Sequence, residues 1–333
     1  MNIDRTALVL GATGGVGGAI AQALSRRGWC VRALVRNPAA VAHGWQGGSI
    51  TWVEGDALNR ADVVAAAAGA DAIVHAVNPP GYRNWGRLVL PMIDNTIAAA
   101  HAAGGVRIVL PGTIYNFDPT RCAVIDEATP QMPQSRKGEI RRALETRLEM
   151  AAPYVPSLIV RAGDFFGPGA RASWFAQALV KPGRPVTRLL NPGKGIGHSW
   201  AYLPDLADTI ARLMEMPERL GSFERLQFEG FWDADGAALP AAIKRVVGRD
   251  LPERNFPWWL MRALSPFGGF PREVVEIEPY WRNAVRLDNR RLVALLGAEP
   301  RTLLDQAVRT TLAAMGALNL PNRKPRLPSV LTA

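Results

Sequence analysis

The first sixty residues alternate short apolar runs with longer mixed stretches. Residues 7–10 (ALVL) form an apolar run typical of a buried strand. A helix is predicted from about residue 16 to residue 27, ending at Gly28, because glycine is typical of the position just past a helix. Residues 31–35 are the next apolar run. The pattern therefore predicts a strand, a glycine-rich turn, a helix and a second strand.

The alternation continues beyond this first unit. The next predicted elements are a strand in 49–59, a helix from residue 61, a strand at 72–76, a helix over 92–105 and a strand from residue 106. Strands and helices in alternation predict an α/β fold, a Rossmann-type doubly wound parallel sheet. Ligands of such sheets bind at the C-terminal ends of the strands.

Glycines follow the first predicted strand at the spacing G-x-x-G-x-x-G, as Gly11, Gly14 and Gly17. Glycine lets the backbone approach a pyrophosphate, and the start of the next helix points its free N–H groups at the ligand. A tight turn with no ligand would also use glycine, but the position inside the first β-α-β unit favours dinucleotide binding. The predicted cofactor loop also includes Thr13, Gly15 and Val16.

The end of the second strand distinguishes between the two nicotinamide dinucleotides. NAD-binding proteins usually place an acid there for the ribose hydroxyls, whereas an arginine suits the 2′-phosphate of NADP. This chain reads Val35-Arg36-Asn37, with Arg32 nearby and without an acid. NADP is therefore predicted over NAD, with Arg36 as the phosphate ligand. The alternative is a solvated surface arginine.

Charge and composition indicate whether the partner is nucleic acid, a membrane or a small ligand. The net charge is +10, but the basic residues are mostly scattered and no nucleic-acid-binding motif occurs, so a small, anionic ligand is favoured over nucleic acid. The sequence lacks an apolar run of the ~18 residues that a membrane span needs, and no membrane partner is expected. Two distant cysteines indicate neither a disulfide framework nor a metal site, so a reducing, cytoplasmic compartment is expected.

Six segments in order resemble the short-chain dehydrogenase/reductase superfamily over about residues 5–215: GATGGVG, GDALN, HAVNP, IDEATPQMP, RAGDFFGPG and HSWAYLPDLADTIARL. The resemblance is to its extended and atypical members, the NAD-dependent epimerase/dehydratase type. It implies that Asp56 faces the adenine, with Ala57 beside it. It also implies that the ribose and pyrophosphate contact Ala76, Val77 and Asn78. The nicotinamide would lie along Gly163, Asp164 and Phe165.

The catalytic positions depart from the family pattern. Pro111 stands at the usual Ser or Thr position, and Thr113 is the nearest hydroxyl. The Tyr and Lys positions of the family read Lys137 and Arg141, and no Tyr is followed four residues later by Lys anywhere in the sequence. Tyr115, in a loop after a strand, is another candidate proton donor, or else a packed aromatic residue.

Lys137 and Arg141 lie beside the apolar stripe of a predicted helix. At ~100° per residue, Ile140, Leu144 and Leu148 fall near the angular position of Lys137. Cations are unfavourable near the start of a helix, because the helix dipole is positive there. The negative charge of a bound dinucleotide would offset this repulsion. We interpret Lys137 as a ligand of the cofactor ribose, with proton transfer as a second hypothesis. The alternative is that both side chains point outward or pair with acids such as Asp164 or Glu145.

The remaining chain predicts a smaller C-terminal mixed α/β substrate domain. The dinucleotide-binding domain is assigned to 1–166 and 198–232, the substrate domain to 167–197 and 233–320, and a tail to 321–333. The aromatic segment 256–270 fits a substrate lid, a dimer surface or plain core, so a homodimer stays open. The sequence favours an NADP(H)-dependent reductase or epimerase/dehydratase-like enzyme on a small organic substrate. The alternative is a non-catalytic NADP-binding redox sensor.

Overall fold

The computed structural model describes residues 5–45, 47–79 and 84–318, and the predicted tail 321–333 lies outside them. The strands are β1 (Thr6–Leu10), β2 (Cys30–Val35), β3 (Ile50–Glu54), β4 (Ala72–His75), β5 (Arg107–Gly112), β6 (Val124–Ile125), β7 (Ser157–Ala162), β8 (Asp164–Phe166), β9 (Leu189–Asn191), β10 (His198–Tyr202), β11 (Phe223–Phe228), β12 (Phe231–Asp233), β13 (Glu253–Asn255) and β14 (Arg286–Leu287). The helices are α1 (Gly15–Arg26), α2 (Pro38–Ala42), α3 (Arg60–Ala67), α4 (Trp85–Ala102), α5 (Arg136–Ala151), α6 (Leu203–Met214), α7 (Ala238–Val247), α8 (Trp258–Leu264), α9 (Gly269–Val275), α10 (Pro279–Arg282), α11 (Arg290–Leu296) and α12 (Leu304–Ala314).

Seven strands form a parallel sheet in the order β11-β7-β5-β4-β1-β2-β3. From β1 the chain continues to β2 and β3 on one side and then crosses to β4 on the other side. The C-terminal ends of β1 and β4 therefore border the crevice in which such sheets bind ligands. The predicted doubly wound parallel sheet is confirmed.

Both faces of the sheet are covered, which explains the uninterrupted apolar runs of its strands. In β1, Ala7 and Val9 pack with α1 and α6 on one face. Leu8 and Leu10 pack with α3, α4 and α5 on the other face. All four side chains are fully buried. Because side chains alternate between the faces of a strand, only a strand covered on both sides needs every position apolar.

Helix α4 begins earlier than the sequence predicts. The prediction starts at residue 92, just after Pro91, but the helix runs from Trp85 and contains Pro91 in its interior. Proline inside a helix costs about 3 kcal/mol because it removes a backbone hydrogen bond. Burial of Trp85 and Val89 in the core beneath α4 offsets that cost.

The C-terminal half builds a second apolar cluster beyond the main sheet. It includes the three-stranded sheet β12-β10-β8 and the helices α7 and α12. The aromatic segment 256–270 is partly buried in this cluster and partly exposed. Trp258 is buried against Trp174, whereas Trp259 is 67% exposed. The two-domain division stays a prediction, which this separate cluster supports.

Candidate functional site

The glycine loop after β1 is folded too tightly to admit side chains at two positions. Gly11 has φ +89°, and a Cβ added there would lie 2.6 Å from the carbonyl oxygen of Ala76. At Gly17 the added Cβ would lie 2.3 Å from the carbonyl oxygen of Gly11. The loop therefore packs directly on the residue that follows β4.

Helix α1 starts where this loop ends. Gly14 is its N-cap, the first turn contains no acidic residue, and both Thr13 and Gly14 are exposed. The backbone N–H groups of the first turn lack partners within the helix, and the helix dipole favours an anion beside them. This geometry fits the pyrophosphate of a dinucleotide.

The segment after β8 closes on the same loop. A Cβ added to Gly15 would lie 2.7 Å from the carbonyl oxygen of Gly169. Gly15, predicted as part of the cofactor loop, is thus also required for packing. Val16 beside it is half-buried and packs against the core. The contact brings the predicted nicotinamide segment, which begins at Gly163, next to the predicted pyrophosphate loop.

The two arginines of β2 and its end have different surroundings. Arg32 donates to the carbonyl oxygens of Ala66 and Ala68 at 2.6 and 2.8 Å, and so holds the end of α3. Arg36 is exposed just past the end of β2. Of the two, Arg36 is the one whose surroundings allow contact with a phosphate.

The end of β3 carries the predicted adenine contact. Oδ1 of Asp56 accepts from the backbone N–H of Leu58 at 2.9 Å, and Asp62 accepts from the backbone N–H of Asp56. The carbonyl oxygen of Ala57 accepts from Asn95 of α4 at 3.0 Å. These bonds fix the loop at the C-terminal edge of the sheet.

The end of β4 is joined to α5 by an arginine. Ala76 donates to the carbonyl oxygen of Leu10 at 2.9 Å, which extends the pairing of β4 with β1. Val77 is half-buried and packs on the core below α4. Asn78 Oδ1 accepts from the guanidinium of Arg141 at 3.1 Å. Arg141, at the family's lysine position, therefore contacts the loop predicted to border the cofactor.

Arg141 also influences a buried histidine that the sequence did not single out. Burial and, secondarily, the Arg141 cation lower the pKa of His75 to about 3, so the ring is neutral near pH 7. Its Nδ1 lies 2.8 Å from Oγ1 of Thr96, whose hydroxyl donates to the carbonyl oxygen of Met92. Since that hydroxyl has one hydrogen, Nδ1 of His75 must be the donor. The guanidinium of Arg141 also stacks over the ring of Trp85 at 4.7 Å.

Lys137, at the family's tyrosine position, contacts the C-terminal half of the chain. The residue is 3% exposed, and its ammonium pairs with Glu273 at 2.5 Å and with Glu276. Glu276 also accepts from the backbone N–H of Lys137 at 2.7 Å. Its carboxylate therefore stabilises both the lysine and the positive end of α5. A ribose contact for Lys137 stays a prediction.

The alternative that Lys137 pairs with acids is confirmed, but the acids are Glu273 and Glu276 rather than the two named as examples. Glu145 instead pairs with Arg161 through two 2.9 Å bonds, and the two residues are 3% and 1% exposed. Asp164 pairs with His198. The sequence gave no periodic or motif signal for Glu273 and Glu276, which lie more than 130 residues from Lys137.

Thr113 and Tyr115 lie in the loop after β5. Oγ1 of Thr113 accepts from the backbone N–H of Tyr115 at 3.4 Å, and its carbonyl oxygen accepts from Arg161 at 2.5 Å. The ring of Tyr115 packs against Tyr280, with ring centres 5.2 Å apart. Burial raises the pKa of Tyr280, whose hydroxyl contacts the backbone oxygens of Tyr115 and Phe117. Catalytic roles for Thr113 and Tyr115 stay predictions.

The predicted nicotinamide segment contains a carboxylate–imidazole pair. Oδ2 of Asp164 lies 2.8 Å from Nε2 of His198, a hydrogen-bond distance. The His198 ring stacks on Trp281, with centres 3.8 Å apart and planes 11° apart. A Cβ added to Gly163 would lie 2.2 Å from the carbonyl oxygen of Ser199, and half-buried Phe165 packs on the core. No sequence signal indicated the pair, because it depends on β8 lying beside β10.

One segment of the C-terminal half contacts Lys137, Tyr115 and His198. Glu276 meets Lys137, Tyr280 packs on Tyr115, and Trp281 stacks on His198. Residues 269–282, which form α9 and α10, therefore lie over the C-terminal ends of β5 and β7 and the start of α5. They bring the C-terminal half of the chain against the candidate site.

The first part of the chain is similar to a known family. Residues 11–147 match a family model described as NAD(P)H-binding. The matched residues include the glycine loop, Arg36 and the start of α5. This part of the chain is therefore similar to NAD(P)H-binding domains.

Two curated relatives resemble part of the chain. The 3-diazoavenalumate denitrifying reductase of a Streptomyces species is 28% identical over 177 residues, 49% of this chain and 57% of that protein. The isoflavone reductase homolog IRL of Zea mays is 28% identical over 195 residues, 56% of this chain and 57% of that protein. The similarity thus spans little more than half of either relative.

Solved structures extend the similarity in fold to nearly the whole chain. MoeE5 in complex with UDP-glucose and NAD superposes with a TM-score of 0.71 at 18% identity, covering 93% of this chain and 98% of that one. A putative epimerase from Burkholderia cenocepacia gives 0.71 at 20% identity, covering 94% and 98%. At these identities, the similarity to the solved structures is one of fold.

Proposed function

We propose that the protein is an NADP(H)-dependent reductase or epimerase/dehydratase-like enzyme acting on a small organic substrate. The observation that carries the proposal is the glycine loop, where added Cβ atoms at Gly11 and Gly17 would overlap backbone. Arg36, exposed just past the end of β2, supports NADP over NAD as the dinucleotide. Bound NADPH would supply a hydride, and the chain would supply orientation and proton transfer.

Two cations of α5 have different proposed roles. Arg141 contacts Asn78 in the loop predicted to border the cofactor, which supports a cofactor contact for Arg141. Lys137 pairs with Glu273 and Glu276, so a grip on the ribose would need those carboxylates to share its ammonium. Tyr115, Thr113, Lys137 and Arg141 remain our candidates for the groups that orient the substrate or transfer the proton.

Titration with NADPH and NADH tests the cofactor assignment. We expect NADPH to bind about tenfold to a hundredfold more tightly, because a charged hydrogen bond to the 2′-phosphate contributes about 1.5–3 kcal/mol. Arg36→Ala should erase this preference and leave NADH affinity unchanged. The matched control is Arg26→Ala, which removes an exposed arginine at the far end of α1. Equal affinities of the unmodified protein for both dinucleotides would refute the assignment.

A hydride-transfer screen separates the enzyme from a non-catalytic NADP-binding redox sensor. The sensor hypothesis is favoured by exposed Trp259, which suits a partner surface. The enzyme is favoured by Trp85, whose ring lies under the guanidinium of Arg141. We expect NADPH to be oxidised in the presence of a member of a panel of aldehydes, ketones and nucleotide sugars. A flat result from protein that still binds NADPH would favour the sensor.

A further inference from the structure

Four large apolar side chains are exposed within residues 258–270, beside the segment that contacts the candidate site. Trp259, Leu264, Phe267 and Phe270 are 67%, 39%, 87% and 52% exposed. They lie on α8, on the 3-10 turn Ser265–Phe267 and on α9, three elements that pack against one another. Large apolar groups clustered on a surface mark a site of interaction rather than ordinary surface composition.

The aromatic tip of this segment is the turn between the 3-10 helix Ser265–Phe267 and α9. Gly268 and Gly269 both have positive φ, +82° and +65°, and turn the chain between the 3-10 turn and α9. Arg272 ties the turn together by donating to the carbonyl oxygens of Ser265 and Pro266. Phe267 and Phe270 stand on either side of this turn.

The charges around the tip have one sign. Over 254–282, all of which the structure describes, every exposed charged side chain is an arginine: Arg254, Arg262, Arg272 and Arg282. The acids of the segment are half-buried or buried, and each is paired with a basic side chain. Glu273 and Glu276 pair with Lys137, and Glu278 is 5% exposed and pairs with Arg262 and Arg282. The occupant of this surface should therefore be anionic.

These observations favour one kind of occupant. Trp, Phe and Leu beside arginines on short surface helices are typical of segments that lie in the headgroup region of a membrane. A second copy of the chain is disfavoured, because a symmetric contact through this face would set arginines against arginines. We propose that residues 254–282 form a docking surface for anionic phospholipid bilayers, with the aromatic tip inserted at the interface.

This surface needs no spanning helix. Within 5–45, 47–79 and 84–318, no helix is both long and apolar enough to cross a membrane. The expectation of no membrane partner rested on the lack of such a run in the sequence. Interfacial binding depends instead on a small apolar area together with electrostatic attraction to acidic lipids.

Vesicle sedimentation of the full chain tests the proposal directly. We expect binding to vesicles of phosphatidylcholine with about 30% phosphatidylglycerol, and at least tenfold weaker binding to phosphatidylcholine alone, because each arginine near the surface adds attraction to acidic lipid. Higher salt should weaken the binding through screening. A protein that binds neither vesicle, or both equally, overturns the proposal.

Two pairs of variants locate the surface. Trp259→Ser/Phe267→Ser and, separately, Arg254→Gln/Arg262→Gln should each weaken binding to the acidic vesicles by about tenfold or more. The controls are Met150→Ser/Tyr154→Ser, which removes apolar groups 76% and 73% exposed elsewhere, and Arg142→Gln/Arg309→Gln, which removes the same charge.

Each outcome of the variant series is decisive. Selective loss in the two test pairs supports the proposal, and the arginine pair provides this evidence even if the aromatic pair fails to fold. Equal loss in the controls overturns it. A dimer in solution that Trp259→Ser/Phe267→Ser converts to a monomer would assign the surface to a second copy instead. Retention of an acidic protein without retention of acidic vesicles would assign it to a protein partner.

Discussion

Arg161→Met should lower the free energy of unfolding by about 3–5 kcal/mol, the cost of leaving one partner of a buried ion pair alone. Arg161 and Glu145 are 1% and 3% exposed and share two 2.9 Å hydrogen bonds. Water cannot readily solvate the remaining Glu145 carboxylate. Arg161 also holds the carbonyl oxygen of Thr113, so the loop after β5 should loosen as well. Urea denaturation monitored by circular dichroism measures the loss.

Two controls separate this burial effect from a general effect of charge. Arg142 pairs with Glu139 on the surface of the same helix, with side chains 48% and 49% exposed. Arg142→Met should therefore change stability by less than about 1 kcal/mol. Arg161→Met/Glu145→Leu should recover much of the loss, because it removes the stranded charge. A loss at Arg161 no greater than that at Arg142 would contradict the assignment of a buried pair.

Gly11→Ala should destabilise the protein by about 2–4 kcal/mol and weaken NADPH binding at least tenfold. Two causes act together. The residue has φ +89°, where an L side chain is strained, and the new Cβ would lie 2.6 Å from the carbonyl oxygen of Ala76. The loop must move to relieve the overlap, and its N–H groups then leave the position in which they would bind pyrophosphate. Denaturation and NADPH titration measure the two effects.

Gly28→Ala is the matched control. Gly28 also has positive φ, +81°, but an added Cβ would meet nothing within 4 Å. This variant should therefore show the backbone strain alone, about 1 kcal/mol. NADPH affinity should not change, because Gly28 lies at the far end of α1. If both variants bind NADPH as the unmodified protein does, the glycine loop is not the pyrophosphate site.

The three positions at which the sequence departs from the resembled catalytic pattern have different structural surroundings. Pro111 lies within β5, and Arg141 points toward the loop after β4. Lys137 instead binds a carboxylate that also stabilises the start of α5. A tyrosine could not replace that ammonium as a partner for two glutamates. The substitution therefore links the nucleotide-binding part of the chain to the segment that covers it.

The sequence by itself determined the nucleotide-binding framework. The runs of β1 and β2 predicted buried parallel strands, and Gly11 to Gly17 predicted the turn between β1 and α1. Both signals are local, because side-chain periodicity and the backbone freedom of glycine act within a few residues. Arg36 was predicted in the same way, from its distance along one strand. Motif order added the extended short-chain dehydrogenase/reductase resemblance.

Only the tertiary structure decided what lies around the catalytic positions. Glu276 reaches Lys137 across 139 residues, and His198 reaches Asp164 across 34. Neither spacing follows a helix or strand period, so the pairs exist only because α9 lies over the start of α5 and β10 lies beside β8. Burial likewise separated Trp258 from Trp259, adjacent residues with the same side chain. Local sequence fixes which groups are available, but long-range packing fixes which of them meet, because contacts between distant segments depend on the whole folded chain.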